Sequence, residues 1–170
     1  ISARGNYLAQ DRPDHSYSSK ELCREFAVPN GHSLMKLKRL GRYLKGRARL
    51  VFKYPFATEP AKYVDVYCDT DFAGCSATRR STSGGCALIG GSCVKHWSKT
   101  QTTIALSSGE AELSGIGAGM AQALGVQALA MDMGWVLQPR VYSDATAAIG
   151  ISKRRGLGKI RHLHTCDLRV

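Results

Sequence analysis

Eight carboxylates lie downstream of residue 61, and six of them fall where an α/β fold would end or begin an element. Asp69 and Asp71 close a run in which Val64, Val66 and Cys68 alternate with Asp65 and Tyr67. Glu110 and Glu112 open a helical segment, Asp144 follows the strand-like run Arg140-Val141-Tyr142-Ser143, and Asp167 stands near the end. Asp65 and Asp132 are incidental to this pattern. Side chains at strand ends and a helix start can converge on one edge of an α/β sheet. Carboxylates gathered there repel one another unless something positive sits between them. Mg2+ prefers oxygen ligands, and two such ions about 3.5–4 Å apart can drive in-line phosphodiester cleavage. Surface acids at loop ends, or acids paired with the chain's many bases, are the plainer readings of the same residues.

Spacing narrows the set. Residues 110 and 112 lie about 200° apart on a helix, so both cannot face one site. Glu110 stands three residues after Ser107, the spacing of a capping box, which gives it a local structural job. Glu112 shares its face with Ile116, Gly119, Met120 and Ala123, the side most easily laid on a sheet. Glu112 is the better ligand candidate. Asp69 and Asp71 share a face if the strand continues, so spacing does not choose between them.

The elements that would hold these groups follow from periodicity. The alternating run around Val64 predicts a half-buried strand. A Gly/Ser/Thr/Arg loop over 74–84 comes next, then two β-rich runs, Gly85–Ile89 and Ser92–Trp97, joined at Gly90-Gly91 as a hairpin. A long helix is predicted from Ser108 to about Leu124, with a second helical stretch to Met133, a short strand to Ser143 and a helix over Ala145–Ile151. The order β-β-β-α-β-α predicts a mixed sheet with helices packed on it. Upstream, Ser18 and Glu21 predict a capped helix ending before Pro29, and Leu34, Leu37, Leu40, Tyr43 and Leu44 predict another over Ser33–Lys45. The division falls near residue 60, giving a helical segment over 1–61 and an α/β domain over 62–170.

Charge is the strongest compositional fact. Twenty-four Lys and Arg against 13 Asp and Glu leave the 170-residue chain at +11, with a pI near 9.6. That surplus favours a polyanionic partner, most often nucleic acid. Lys36, Lys38, Arg39, Arg42 and Lys45 line much of the second helix, and Lys153, Arg154, Arg155, Lys159 and Arg161 form a basic loop near the end. They read either as solvated faces or as contacts to a phosphate backbone, which grip without reading sequence. The six cysteines make no C-x-x-C pair, and most sit among apolar neighbours, as expected of thiols in a reducing compartment. No apolar run approaches the roughly 18 residues of a membrane helix, and no signal-peptide pattern opens the chain. It begins on Ile1, as expected of a piece of something longer.

The ordered motifs resemble a known family. Tyr67-Cys68-Asp69-Thr70-Asp71-Phe72-Ala73-Gly74, Arg79-Arg80-Ser81-Thr82-Ser83-Gly84, Trp97-Ser98-Lys99-Thr100-Gln101, Ala105-Leu106-Ser107-Ser108-Gly109-Glu110-Ala111-Glu112 and Tyr142-Ser143-Asp144-Ala145-Thr146-Ala147-Ala148-Ile149 resemble the ribonuclease H domain of copia-type LTR-retrotransposon Pol polyproteins. The first 61 residues, with Tyr7-Leu8-Ala9, Arg12-Pro13-Asp14 and Leu40-Gly41-Arg42-Tyr43-Leu44-Lys45-Gly46, resemble the tail of the reverse transcriptase region that precedes it.

The resemblance implies a ribonuclease H-like fold: a five-stranded mixed sheet, three antiparallel strands first, with helices on both faces. It implies metal-dependent cleavage of the RNA strand of an RNA–DNA hybrid, with two Mg2+ ions (Mn2+ a substitute) held by Asp69, Glu112, Asp144 and Asp167. It settles Asp69 over Asp71, with Asp69 bridging the ions, Glu112 and Asp144 on one side and Asp167 on the other. It places Ser107, Ser108 and the helix start against the minor groove, where the 2′-hydroxyls mark RNA. His164 suits a proton shuttle, because histidine titrates near neutral pH. The family pattern has its histidine two residues before the last Asp, where this chain has Thr165, with His162 further off. His162, His164 and Cys166 have the wrong spacing for zinc. The implied partners are the hybrid and the upstream reverse transcriptase region, with no membrane, in an intracellular setting: a cytoplasmic virus-like particle or the nucleus. Two departures bear on activity. Only three residues follow Asp167, so weak activity is expected of this span. The upstream segment also lacks polymerase carboxylates, so no polymerase chemistry is expected. Other readings are a non-catalytic or decayed nucleic-acid-binding connector, and another nuclease or an integrase on the same fold.

Overall fold

The computed structural model describes residues 2–56 and 59–153. Three α-helices come first: α1 (Ser2–Leu8), α2 (Ser16–Arg24), entered through a 3-10 turn at Pro13–His15, and α3 (Gly31–Gly46). The α2 helix starts two residues before the expected cap. Ser18 lies within it, and its entry is fixed by buried His15, whose Nδ1 meets the buried Ser19 Oγ at 2.9 Å. The α3 helix opens on a reciprocal cap, with Asn30 Oδ1 accepting from Ser33 N at 2.9 Å and Ser33 Oγ accepting from Asn30 N at 3.2 Å.

The sheet follows: β1 (Tyr63–Asp71), β2 (Thr82–Ile89), β3 (Ser92–Thr100) and β4 (Gln138–Tyr142), in the order β3-β2-β1-β4. The first three strands are antiparallel neighbours, and β4 runs parallel to β1 with Tyr67 opposite Tyr142. This is a mixed α/β architecture with four strands among the described residues. The expectation of five is not met there, because β4 is the last segment in that range to pair with the sheet.

Between β3 and β4 lies α4 (Ser108–Asp132), one unbroken helix in place of the two stretches read from sequence. It is also the one helix among the described residues with the length and apolarity of a membrane span, which corrects the expectation that no segment approached it. As folded, it lays a face of small residues on the sheet. Ala111, Gly115, Gly119, Ala123 and Ala130 are buried, and the side chains of Val66 and Cys68 meet the backbone at Gly119. The core is built from Val64, Val66, Ala87, Ala123, Ala130 and Leu137. The last element, α5 (Thr146–Ser152), packs on α4.

Strand pleating then sorts β1. Val64, Val66, Cys68 and Thr70 face α4, while Asp65, Tyr67, Asp69 and Asp71 face the other side. The α2 helix lies over part of that second face: Lys20 Nζ donates to Thr82 Oγ1 at 2.7 Å, and Thr82 is the register partner of Asp71.

Candidate functional site

The carboxylate edge is assembled by three connections. Because β1 runs to Asp71, Asp69 stays within the strand and projects exposed, with Thr70 N donating to its Oδ1 at 2.8 Å. Asp144 is exposed in the short link between β4 and α5, beside the end of β1 by parallel pairing. The second turn of α4 opens on Glu112, half-buried; Gly109 in the first turn stands so close to α5 that an added Cβ would touch Ala147 at 3.6 Å.

Glu112 feels the charge of the other two acids. The Glu112 carboxyl is pushed above the usual range first by burial, then by the negative charges of Asp69 and Asp144; a backbone hydrogen bond from Thr70 acts in the opposite direction. Buried Cys68 reports the same field, its thiol raised to about 11 by burial and then by Glu112, Asp69 and Asp144. None of the ion pairs found among the described residues engages these three acids: the arginine and lysine partners go to Asp14, Glu21, Glu25 and Asp65. Such a donor set of oxygens, mutually repelling and without a side-chain counter-ion, fits a hard divalent cation. Among the described residues no three metal-ligating side chains stand close enough together to hold an ion as they are placed. Sharing an ion therefore requires the acids to draw inward.

Neutral groups hold the acids on their frame. Glu110 is buried, its Oε2 accepting from Leu106 N at 2.9 Å while Ser107 Oγ accepts from Glu110 N at 3.2 Å, so this acid serves the helix start. Gln101 Nε2 donates to Ser83 Oγ and to Ala111 O, both at 2.8 Å, and Ser83 Oγ lies 3.4 Å from Thr70 Oγ1. This chain of polar contacts ties the end of β3 to β2, β1 and the first turn of α4. The sequence reading missed the brace, although Gln101 and Ser83 both lay in quoted motifs, because nothing in the spacing shows that they meet.

The other expected contacts are scattered. Ser107 and Ser108 are exposed at the start of α4, a few residues before Glu112. Arg39 and Arg42 are exposed on α3, whose packing partner is α2, and so are not gathered with the acids. Lys36 is half-buried on α3 and paired with Glu25. Lys153 is exposed at the end of α5. Asp167, His164, His162, Arg154 and Arg155 lie outside the described residues.

One reactive group had no sequence signal. Cys75, in the loop after β1, receives hydrogen bonds from Thr78 (N to Sγ 3.4 Å) and Arg24 (Nη2 to Sγ 2.6 Å), which hold its thiol down at about 6. Arg24 is 51 residues away in the chain.

No family model matches the chain, and no solved structure matches it. Four curated relatives do, and three of them are as follows. One is an uncharacterized mitochondrial protein of Arabidopsis thaliana, 37% identical over 107 residues, covering 62% of this chain and 43% of the relative. Another is secreted RxLR effector protein 161 of Plasmopara viticola, 39% identical over 101 residues, 59% of this chain and 70% of the relative. The third is the retrovirus-related Pol polyprotein from transposon RE1 of Arabidopsis thaliana, 30% identical over 145 residues, 84% of this chain and 10% of the polyprotein. The chain thus spans less than half of the first relative and a small part of the third. The similarity to the transposon Pol polyprotein over most of this chain supports a retroelement origin.

Proposed function

We propose that this chain carries the ribonuclease H region of a retroelement Pol polyprotein, preceded by the tail of the reverse transcriptase region, and that it hydrolyses the RNA strand of RNA–DNA hybrids with Mg2+. Three features support the reading: the similarity to a transposon Pol polyprotein, a sheet of three antiparallel strands plus one parallel to the first, and acids on β1, near the start of α4 and just after β4. The observation that carries it is the mutual field on Glu112, raised by Asp69 and Asp144 together as well as by burial.

Asp69, Glu112 and Asp144 would hold Mg2+ on this side, and Asp167, outside the described residues, completes the expected set. Bound Mg2+ supplies Lewis acidity that makes a water nucleophilic and stabilises the departing oxygen of the phosphodiester. The chain's own groups do the rest. The Thr70 amide fixes the Asp69 carboxylate, the Gln101–Ser83 brace keeps Glu112 in reach of it, and the start of α4 offers donors to the substrate backbone. The basic surplus draws the polyanion in.

A second reading, a decayed connector that holds nucleic acid without cutting it, is favoured by the spacing of the three acids as they stand. Incubation of the chain with Mg2+ and end-labelled hybrid, double-stranded DNA or double-stranded RNA separates the two. Selective loss of the hybrid's RNA strand, abolished by Asp69→Asn, supports hydrolysis. Salt-sensitive binding of all three duplexes without cleavage supports the connector. Cleavage of DNA alone overturns both.

A further inference from the structure

Between Glu25 and Glu59 the chain has eight basic residues and no acidic one. Lys36 is paired with Glu25, and none of the other seven enters an ion pair among the described residues. Lys38, Arg39, Arg42 and Lys45 are exposed on α3. Arg47, Arg49 and Lys53 continue the line past the helix end, where 48–56 joins no helix or strand. Aromatic rings alternate with the last of these cations: Phe52 is 37% exposed, Tyr54 63% and Phe56 95%. The Phe52 and Tyr54 ring centroids lie 6.3 Å apart.

The stretch is held where it leaves α3 and again before β1. Buried Arg12 donates to Arg47 O at 2.9 Å and to Ala48 O at 3.3 Å. Tyr54 OH donates to Cys93 O, on β3, at 3.4 Å. Cys93 is in register with Leu88 and, through it, with Asp65, four residues along β1 from Asp69. This second anchor therefore lies roughly 13 Å along the strands from the carboxylate edge, and two strands away from β1.

A line of unpaired cations takes a polyanion, and rings set between them take flat base faces. A duplex offers phosphates but keeps its base faces stacked inside, so the rings would find nothing there. An anionic membrane surface suits a helix whose cations and rings are segregated on opposite faces. Here they alternate along a stretch without helix. A single strand presents phosphates and open base faces by turns along its length, and Arg47 to Phe56 reaches at most about 30 Å, enough for several nucleotides. We propose that residues 47–56, backed by the exposed cations of α3, form a docking surface for single-stranded nucleic acid. Tyr54 and Phe56 stack on bases, and Arg49 and Lys53 meet phosphates. The surface works without metal and away from the carboxylate edge, so it does not rest on the ribonuclease reading.

The test uses the full chain and its variants Phe56→Ala, Phe56→Trp, Tyr54→Ala, Arg49→Gln and Lys53→Gln, each verified as folded by circular dichroism. Binding of fluorescein-labelled oligo(dT), oligo(rU) and a blunt RNA–DNA hybrid is measured in EDTA over a range of salt concentrations. Vesicles of phosphatidylserine and phosphatidylcholine form a further arm, and hybrid cleavage is measured in Mg2+. Phe56→Ala and Tyr54→Ala are each expected to weaken binding of both single strands about tenfold, equivalent to about 1.4 kcal/mol, while Phe56→Trp binds as the parent does. Arg49→Gln and Lys53→Gln should each lower the slope of log K against log salt by about 0.7. Hybrid binding should be the same in Phe56→Ala as in the parent. The proposal is overturned if Phe56→Ala holds single strands as tightly as the parent, or loses hybrid binding equally. Capture of the vesicles in place of the oligonucleotides would also overturn it. A parent chain that binds single strands but never cuts the hybrid leaves this surface standing and removes the ribonuclease reading. A parent chain that cuts the hybrid and binds no single strand does the reverse.

Discussion

The distance between α4 and β1 decides whether Glu112 can share a site with Asp69, and three glycines in the helix gauge that distance. At Gly125 nothing lies within 4 Å of an added Cβ, so Gly125→Ala gains only helix propensity, about 1 kcal/mol. At Gly119 the same gain is opposed by contacts of 3.3 Å to Val66 Cγ1 and 3.4 Å to Cys68 Sγ, which need a shift of a few tenths of an ångström; the two effects roughly cancel. At Gly115 the Cβ would stand closer than 3.0 Å to Thr70 Oγ1, so helix or strand must move. Overpacking of this kind costs about 1–3 kcal/mol. Set against the propensity gain, Gly115→Ala is expected to lose up to about 2 kcal/mol. At about 2–4 °C per kcal/mol for a domain of this size, thermal unfolding should rank Gly125→Ala above the parent, Gly119→Ala level with it, and Gly115→Ala lowest, below the parent by up to roughly 8 °C. If Gly115→Ala gains as much as Gly125→Ala, α4 is not seated on β1 at Thr70, and the geometry that brings Glu112 to Asp69 is wrong.

Glu112→Gln tests the crowded charges directly. Because the Glu112 carboxyl is raised in the fold by burial, Asp69 and Asp144, the native state loses stability as pH rises through the interval between its ordinary and raised values. The variant should therefore melt higher than the parent at pH 7 and level with it at a pH where both forms of Glu112 are protonated; a constant difference at all pH values would refute the coupling. Mg2+ should raise the melting temperature of the parent more than that of Glu112→Gln, and equal shifts would place the ion elsewhere. Iodoacetamide should modify Cys75 with a pH midpoint of about 6, moved upward by Arg24→Gln, while Cys68 reacts only on unfolding. A midpoint unchanged in Arg24→Gln would show that the guanidinium does not hold the thiolate.

What the sequence revealed about this site was whatever period and local capping encode. The alternation at Val64, Val66 and Cys68 put Asp65, Asp69 and Asp71 on one face, and the angle between residues 110 and 112 separated the capping acid from the one that faces the sheet. The Gly90-Gly91 turn, with positive φ at both residues, fixed the hairpin. What escaped were meetings across long stretches of chain: Lys20 with Thr82, Arg24 with Cys75, His96 Nε2 with Gln10 O at 2.9 Å. Each pairs residues with ordinary local roles, so neither spacing nor propensity marks them. The pairing of Lys36 with Glu25, eleven residues away and not at a helical spacing, escaped in the same way. The break expected near Leu124 failed for a different reason: Gly125 costs an α-helix about 1 kcal/mol, and the burial of Ala123 and Ala130 against the core on either side holds α4 in one piece.

The distribution of charge argues against reading the acids as ordinary surface groups. Among the described residues no ion pair engages Asp69, Glu112 or Asp144, whereas Asp14, Glu21, Glu25 and Asp65 are each paired with a basic side chain. The frame around the acids is instead made of neutral donors, namely the Thr70 amide, the Gln101 amide and the Ser83 hydroxyl, which fix position without cancelling charge. That arrangement stabilises the fold less than ion pairs would. It keeps negative charge concentrated at one edge of a positive molecule, where a divalent cation can neutralise it and a polyanion can follow.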